Sequence, residues 1–339
     1  MKKLLNIVLI LMLSTVLMGC GLQKDDVYIA YTSDIHGHVN NGMGYAGLKS
    51  YIDALKKEHC YVTLVDGGDF SEGEKIAENS KASAIYDIMN DVGYDIAALG
   101  NHELDYGLDA LSQNLNKAKF DVLCTNIQYT GNKDNPLSKV KPYVIKKYGP
   151  IKIAYIGIMT PEVLLEDKNS RTTNMEDGNL VIDVYNDIYD SDGGDAVFKK
   201  IQETIDEVRN KVDYVVAIAH LGTYTKCALN CDQLIKWTTG IDIVLDAHAH
   251  TDINGEYWEN MNGEKVLYFA VGCHLDKVGL IKIKTDGTFE TSFVHEYEIR
   301  DEKLQVKIDE ALEEYNKVNK IDLLEKLRNK VLYKKYKLL

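Results

Sequence analysis

Six residues at one strand exit carry a concentration of chemistry: Gly100-Asn101-His102-Glu103-Leu104-Asp105. Asn101 offers a neutral oxygen ligand, His102 a proton-carrying imidazole, and Asp105 a carboxylate able to orient that imidazole. They follow Ile96-Ala97-Ala98-Leu99, an apolar run that reads as a buried strand, and Gly100 permits a sharp exit from it. Four more apolar runs end in groups of the same kinds. Val27–Thr32 leads to Asp34 and His36, and Tyr61–Val65 to Asp66-Gly67-Gly68-Asp69. Asp213–Ala219 leads to His220, and Ile241–Asp246 to His248 and His250. Asp and His two apart in extended chain project to the same side, as a metal chelate requires, and His-x-His after a strand is a good chelating pair. Each of these has a plain explanation when taken alone: turn chemistry, a helix cap, a core histidine. Together they put five of the nine histidines at strand exits, where open α/β sheets place their chemistry. The set supplies the ingredients of two neighbouring metal sites, with a carboxylate as the natural bridge between two cations.

Helices must connect the strands that carry these groups. Tyr45–Glu58 places Leu48, Ile52 and Leu55 on one face, and Ala82–Met89, Gly107–Lys119 and Phe198–Val212 also read as helices. Asp121–Thr125, Ile151–Met159, Val266–Ala270, Leu280–Lys284 and Phe289–Tyr297 read as further strands. Glu162–Asp195 reads as a solvated surface excursion; its Asp190-Ser191-Asp192-Gly193-Gly194-Asp195 lacks the ligand order of an EF-hand. From Asp301 to Asn329 a charged helix is predicted, with Leu304, Ile308, Leu312 and Tyr315 as its apolar stripe.

A chain of 339 residues with 45% hydrophobic content can bury a sizeable core. Its formal charge of −13 argues against binding nucleic acid backbone, but not against a small phosphorylated substrate held by metal. Lys2 and Lys3 precede the apolar run Leu4–Val16, the order of an export signal, and the run is short for a spanning helix. Leu17-Met18-Gly19-Cys20 resembles the bacterial lipobox, with Met18 its less usual member, and this implies a lipidated Cys20 as the mature N-terminus. The expected organisation is a signal peptide over 1–19, a lipidated tether over 20–26, a catalytic domain over 27–300, and a charged helix and tail over 301–339. That places the domain at the outer face of the bacterial cytoplasmic membrane. Of the remaining cysteines, Cys60 and Cys124 read as core, while Cys227 and Cys231 are spaced to bridge within a loop. An odd count excludes full internal pairing.

As a set, Asp-x-His, Gly-Gly-Asp, Gly-Asn-His-Glu-Leu-Asp, a strand ending in His and a final His-x-His resemble the 5′-nucleotidase branch of the calcineurin-like metallophosphoesterases, from about Val27 to about Ile299. The resemblance implies an α/β/β/α sandwich of two mixed β-sheets with two divalent metals at the strand ends. It implies that Asp34, His36 and His250 bind one metal, that Asn101, His220 and His248 bind the other, and that Asp69 bridges. His102 would face the transferring phosphoryl group, with Asp105 orienting it. Ala247 departs from the glycine that usually precedes the His-x-His. His38 lies near the site with no assigned role. Nitrogen and oxygen ligands without thiolate suit zinc, manganese, iron or cobalt.

The expected function is extracytoplasmic hydrolysis of 5′-nucleotides or other small phosphomonoesters by metal-activated hydroxide. Alternatives are a 2′,3′-cyclic nucleotide phosphodiesterase, a nucleotide-sugar diphosphate hydrolase, and a metal-binding surface lipoprotein with little turnover. Relatives in this branch usually carry a second, substrate-binding domain, and none is expected here, unless a partner subunit supplies specificity. Only Met43, Tyr45 and Tyr224 offer walls near the site, so weak discrimination among phosphomonoesters is expected.

Overall fold

The apolar runs become the inner strands of two sheets. The computed structural model describes residues 25–164, 175–176, 179–184, 195–223 and 229–315. The first sheet contains β1 (Val27–Thr32), β2 (Tyr61–Asp66), β3 (Ile96–Ala98) and β4 (Asp121–Leu123), joined late in the chain by β11 (Val278–Ile283) and β12 (Phe289–Val294). The second contains β5 (Tyr143–Tyr148), β6 (Ile151–Met159), β7 (Tyr214–His220), β8 (Ile243–Asp246), β9 (Asp252–Glu259) and β10 (Lys265–Val271). Spatial order is β12-β11-β1-β2-β3-β4 in one and β9-β10-β8-β7-β6-β5 in the other. The four central strands of the second sheet are parallel and its edge strands β9 and β5 antiparallel; in the first, β1 to β4 are parallel and β11 and β12 antiparallel. Parallel strands buried on both faces require near-continuous apolar sequence, which is why these runs were legible.

Alternation along each strand divides the interior into three layers. Ile29, Tyr31, Val65, Ile218, Leu245 and Phe269 fill the space between the sheets. Ala30, Leu64 and Val122 face the other way, against α1 (Gly44–Glu58), α3 (Ser83–Val92) and α4 (Leu108–Lys117) through Leu48, Ile52, Ile85 and Leu111. A short α2 (Lys75–Ser80) precedes α3. On the outer face of the second sheet, α5 (Asp195–Arg209) and α6 (Cys231–Trp237) bury Ile201, Ile205 and Leu234 against Val244 and Ala217. This is the expected α/β/β/α sandwich. A helix over 302–315 closes the described chain, with Leu304 and Ile308 buried in the first outer layer and Leu312 and Tyr315 packed against it.

Several expectations change. Residues β5 and β9 form strands that the sequence pattern did not announce. Strand β9 is an edge with a bulge between Ile253 and Glu256, where Gly255 sits at φ +80°. The excursion after Glu162 is partly packed: Val181, Ile182 and Val184 join the first outer layer, and Ile182–Asp183 pairs with Gln128–Tyr129. Cys124 is buried and free, whereas Cys60 is exposed and disulfide-bonded. Cys231 is a free, fully buried thiol and so forms no bridge with Cys227. Cys20, Cys227, Tyr224, the signal segment, the acidic 190–194 stretch and the chain after 315 lie outside the described residues.

Gly279 of β11 faces Phe269 of β10 across the space between the sheets. A Cβ at Gly279 would lie 2.3 Å from the Phe269 ring. That ring is fully buried, edge-on to Tyr31 with 6.4 Å between centroids. Phe269→Ala should therefore cost about 3–5 kcal/mol of stability, whereas Tyr257→Ala on an exposed edge should stay within about 0.5 kcal/mol. Urea denaturation of the two variants checks the difference.

Candidate active site

All five polar strand exits open at the same end of the sandwich. The Thr32↔Asp66 register of β1 and β2 aligns the Asp34 and Asp69 turns. The Ala219↔Asp246 register of β7 and β8 aligns His220 with the His248 turn. Asp34, His36 and His250 place ligand atoms within 4.8 Å of one another, and so do Asp69, His220 and His248. His220 Nε2, 3.0 Å from Asp69 Oδ2 and 4.0 Å from Asp34 Oδ1, links the two groups. His36 Nε2 faces His250 Nε2 at 3.1 Å, and His250 Nε2 is 3.6 Å from Asp34 Oδ1.

The route to convergence differs from the one expected. Asp34 and His36 do not alternate along an extended strand. Both sit in the left-handed region at φ +50°, as do Asp69 (+56°), His248 (+74°) and His250 (+54°). Non-glycine residues there are strained and persist only where surrounding structure holds them. Five such residues in one cluster mark a candidate functional site in that physical sense. Ala247 needs no positive φ, so its methyl is accommodated without glycine.

Hydrogen bonds fix the donors. The carbonyl of Gly67 can only accept, so His220 Nδ1–H donates to it at 2.9 Å and Nε2 is left to face Asp69 and Asp34. Nε2 is buried and makes no hydrogen bond, and Asn101 Oδ1 is likewise buried and unpartnered. Orphaned buried acceptors are costly unless something satisfies them. A pair of divalent cations fits that requirement, as does a donor set composed of imidazole nitrogen and carboxylate or amide oxygen. Asp69 Oδ1 accepts from the His102 N–H at 2.9 Å, and the His102 and Asp105 side chains meet with Nδ1 to Oδ2 at 2.7 Å.

The charges of these groups act strongly on one another. Burial, reinforced by Asp69, lifts Asp34 to about 7 against the pull of His220 and His36. For Asp69 burial also raises the carboxyl, but His220, His102 and His36 together hold it well below the usual carboxylate range. Burial lowers His102, yet its hydrogen bond to Asp105 and the Asp69 charge outweigh that and place it at about 10. Burial and the neighbouring His36 and His274 bring His250 down to about 4.

Two carboxylates were not recognised from sequence. Glu103, only 3% exposed, accepts four backbone N–H groups: Asp69 and Gly100 on Oε2 at 2.9 and 2.7 Å, Phe70 and Ser71 on Oε1 at 3.0 and 3.3 Å. Its place between two site residues was the available signal. Glu162 is buried with Oε2 3.1 Å from His248 Nε2, at the start of a segment whose polarity read as solvated. Met43 and Tyr45, expected as walls near the site, are buried core residues. A cavity of about 850 Å³ is lined by Lys81, Tyr106, Lys117, Tyr129 and Pro136 among others, and by none of the candidate ligands.

A family model described as bacterial capsule synthesis protein PGA_cap matches residues 58–272. A 2′,3′-cyclic-nucleotide 2′-phosphodiesterase/3′-nucleotidase of Haemophilus influenzae is 27% identical over 282 residues, which are 74% of this chain and 40% of that protein. Protein UshA of Escherichia coli is 32% identical over 216 residues, 60% of this chain and 36% of UshA. The chain thus spans less than half the length of these curated relatives. The crystal structure of a 5′-nucleotidase precursor from Thermus thermophilus superposes with a TM-score of 0.70 at 20% identity, over 87% of this chain and 59% of that one. This likeness shows the fold to be that of the metallophosphoesterases.

Glu103→Gln keeps the side chain's size but loses its charge and one strong acceptor. Hydrogen exchange at the amides of residues 69–71 and 100 should accelerate, and stability should fall by about 1.5–3 kcal/mol. Glu72→Gln, on a partly exposed neighbour, should leave those amides protected. Exchange read by mass spectrometry compares the two.

Proposed function

We propose that this chain, which belongs to the family described as bacterial capsule synthesis protein PGA_cap, hydrolyses small phosphate esters with two divalent metal ions. It is a metallophosphoesterase related to 5′-nucleotidases and 2′,3′-cyclic phosphodiesterases. The observation that carries the reading is the cluster of two ligand groups around Asp34 and Asp69, together with His220 Nε2 facing Asp69 and Asn101 Oδ1 in the turn after β3, both buried and without a hydrogen bond. Asp34, His36 and His250 would hold one cation; Asn101, His220 and His248 the other; Asp69 would be shared. When bound, the pair supplies Lewis acidity that lowers the pKa of water and offsets charge on a phosphoryl group.

The chain's own groups do the rest. Asp105 fixes the His102 ring through Nδ1, leaving Nε2 to donate to a phosphoryl oxygen as charge builds there. Glu103 holds the backbone of Asp69 still, so the shared carboxylate does not have to be ordered at the moment of reaction. Nucleotides and similar phosphomonoesters are the proposed substrates. The Haemophilus relative supports a second reading, a 2′,3′-cyclic nucleotide substrate. The order of residues 2–20 supports lipidation at Cys20 and a place at the outer face of the cytoplasmic membrane.

His102→Ala should lower kcat on a chromogenic phosphomonoester about 10²–10³-fold, with metal content unchanged by elemental analysis. Asp69→Ala should lose metal and activity together. Equal metal depletion in both would contradict the role given to His102. Rates on AMP, 2′,3′-cyclic AMP and a UDP-sugar then separate the substrate classes. In cells, Cys20→Ala should leave the membrane fraction; unchanged processing and partition would contradict the anchor.

A further inference from the structure

A second group of soft ligands lies at the rim of the candidate site. Cys273 and His274 follow β10 and place their ligand atoms within 4.8 Å of each other and of His250. The His38 ring, from the turn after β1, packs on His274 with 4.0 Å between centroids at a tilt of 46°. His38 and His274 take no part in the inner ligand groups, and Cys273 brings the thiol that those groups lack.

The backbone holds this rim in place. His274 N–H donates to the Asp34 carbonyl at 2.9 Å, and Met43 N–H to the Leu275 carbonyl at 3.1 Å. His274 and Leu275 are both left-handed, at φ +60° and +56°. Two consecutive non-glycine residues in that region are costly, and here hydrogen bonds to the β1 exit retain them. On the other side, Glu74 Oε1 lies 3.4 Å from His38 Nδ1. That carboxylate fixes the His38 ring, and with it the face that packs on His274. The carboxylates of Asp34, Asp276 and Asp252 act on the Cys273 thiol, with Lys277 opposing them. The same carboxylates favour a cation at that position.

We propose that Cys273 and His274, with His250 at its inner edge, form an outer site for a third, thiophilic divalent cation of the zinc or cobalt class, and that His38 positions the His274 ring by packing on it. Cys273 releases its thiol proton to solvent and binds as thiolate. Thiolate with imidazole selects such metals over magnesium, calcium or manganese. The outer site thereby differs in preference from the inner nitrogen and oxygen groups.

Titration of the purified full chain with Co²⁺ tests this without reference to hydrolysis. The inner groups contain no sulfur, so a thiolate-to-cobalt charge-transfer band reports on sulfur ligation alone. The expected result is such a band, with three cobalt ions bound per chain by elemental analysis. Cys273→Ser and, as a second variant, Cys273→Ala should lose the band and one cobalt, with thermal melts near wild type. His274→Ala should do the same, and His38→Ala should weaken outer binding at least tenfold. Failure of the phosphoesterase reading would leave the band intact. Absence of the band at excess cobalt, or its persistence in both Cys273 variants, would overturn the outer site.

Discussion

One buried carboxylate holds the candidate-site end of the first sheet together. Glu103 draws the amides of Asp69, Phe70, Ser71 and Gly100 onto its two oxygens, so the turns after β2 and β3 share a single anchor. Burial pushes Glu103 upward, and these amide bonds oppose that shift. The turns also touch directly. A Cβ at Gly68 would lie 2.5 Å from Gly100 N, and one at Gly100 would lie 2.2 Å from Asp69 Oδ1. Only glycine permits that approach, and Asp69 is placed by it. Its carboxylate then meets His220 on one oxygen and the His102 amide on the other.

The second sheet has a corresponding anchor in Asp246. Its side chain accepts from Gly222 N–H and the Cys231 thiol on Oδ1 and from the Tyr268 hydroxyl on Oδ2. Its backbone carbonyl accepts from Tyr31 of the first sheet at 2.9 Å. The chain beyond His220 and the chain before His248 are thus tied to one residue, which also pins the two sheets to each other. The strain of five left-handed residues is sustained by this pair of anchors. Each lies beside the turns it restrains rather than among the candidate ligands.

The layers were legible because parallel strands buried on both faces must be apolar throughout, and because Leu48, Ile52 and Leu55 repeat at helical spacing. The candidate site was legible because metal-capable side chains recur where those runs stop. What escaped notice has a common cause. Apart from the Gly100 amide three residues away, Glu103 and Glu162 act through contacts 32 to 86 residues distant in sequence, and beyond the position of Glu103 between two site residues nothing local marks either carboxylate as buried. The left-handed turns at Asp34 and His36 escaped for a related reason: their φ is imposed by Gly68 and Asp69 carbonyls from the neighbouring strand exit. Strand β9 escaped because an edge strand is polar.

The central claim is that these strand exits bind two cations around a shared Asp69. Anomalous diffraction at the metal absorption edge, from crystals of the manganese-loaded chain, tests it most directly. Manganese leaves a thiophilic rim site out of the question. The account predicts two peaks about 3.5–4 Å apart, one against Asp34, His36 and His250, the other against Asn101, His220 and His248, with Asp69 between them. A single peak, or metal away from Asp69, would contradict it.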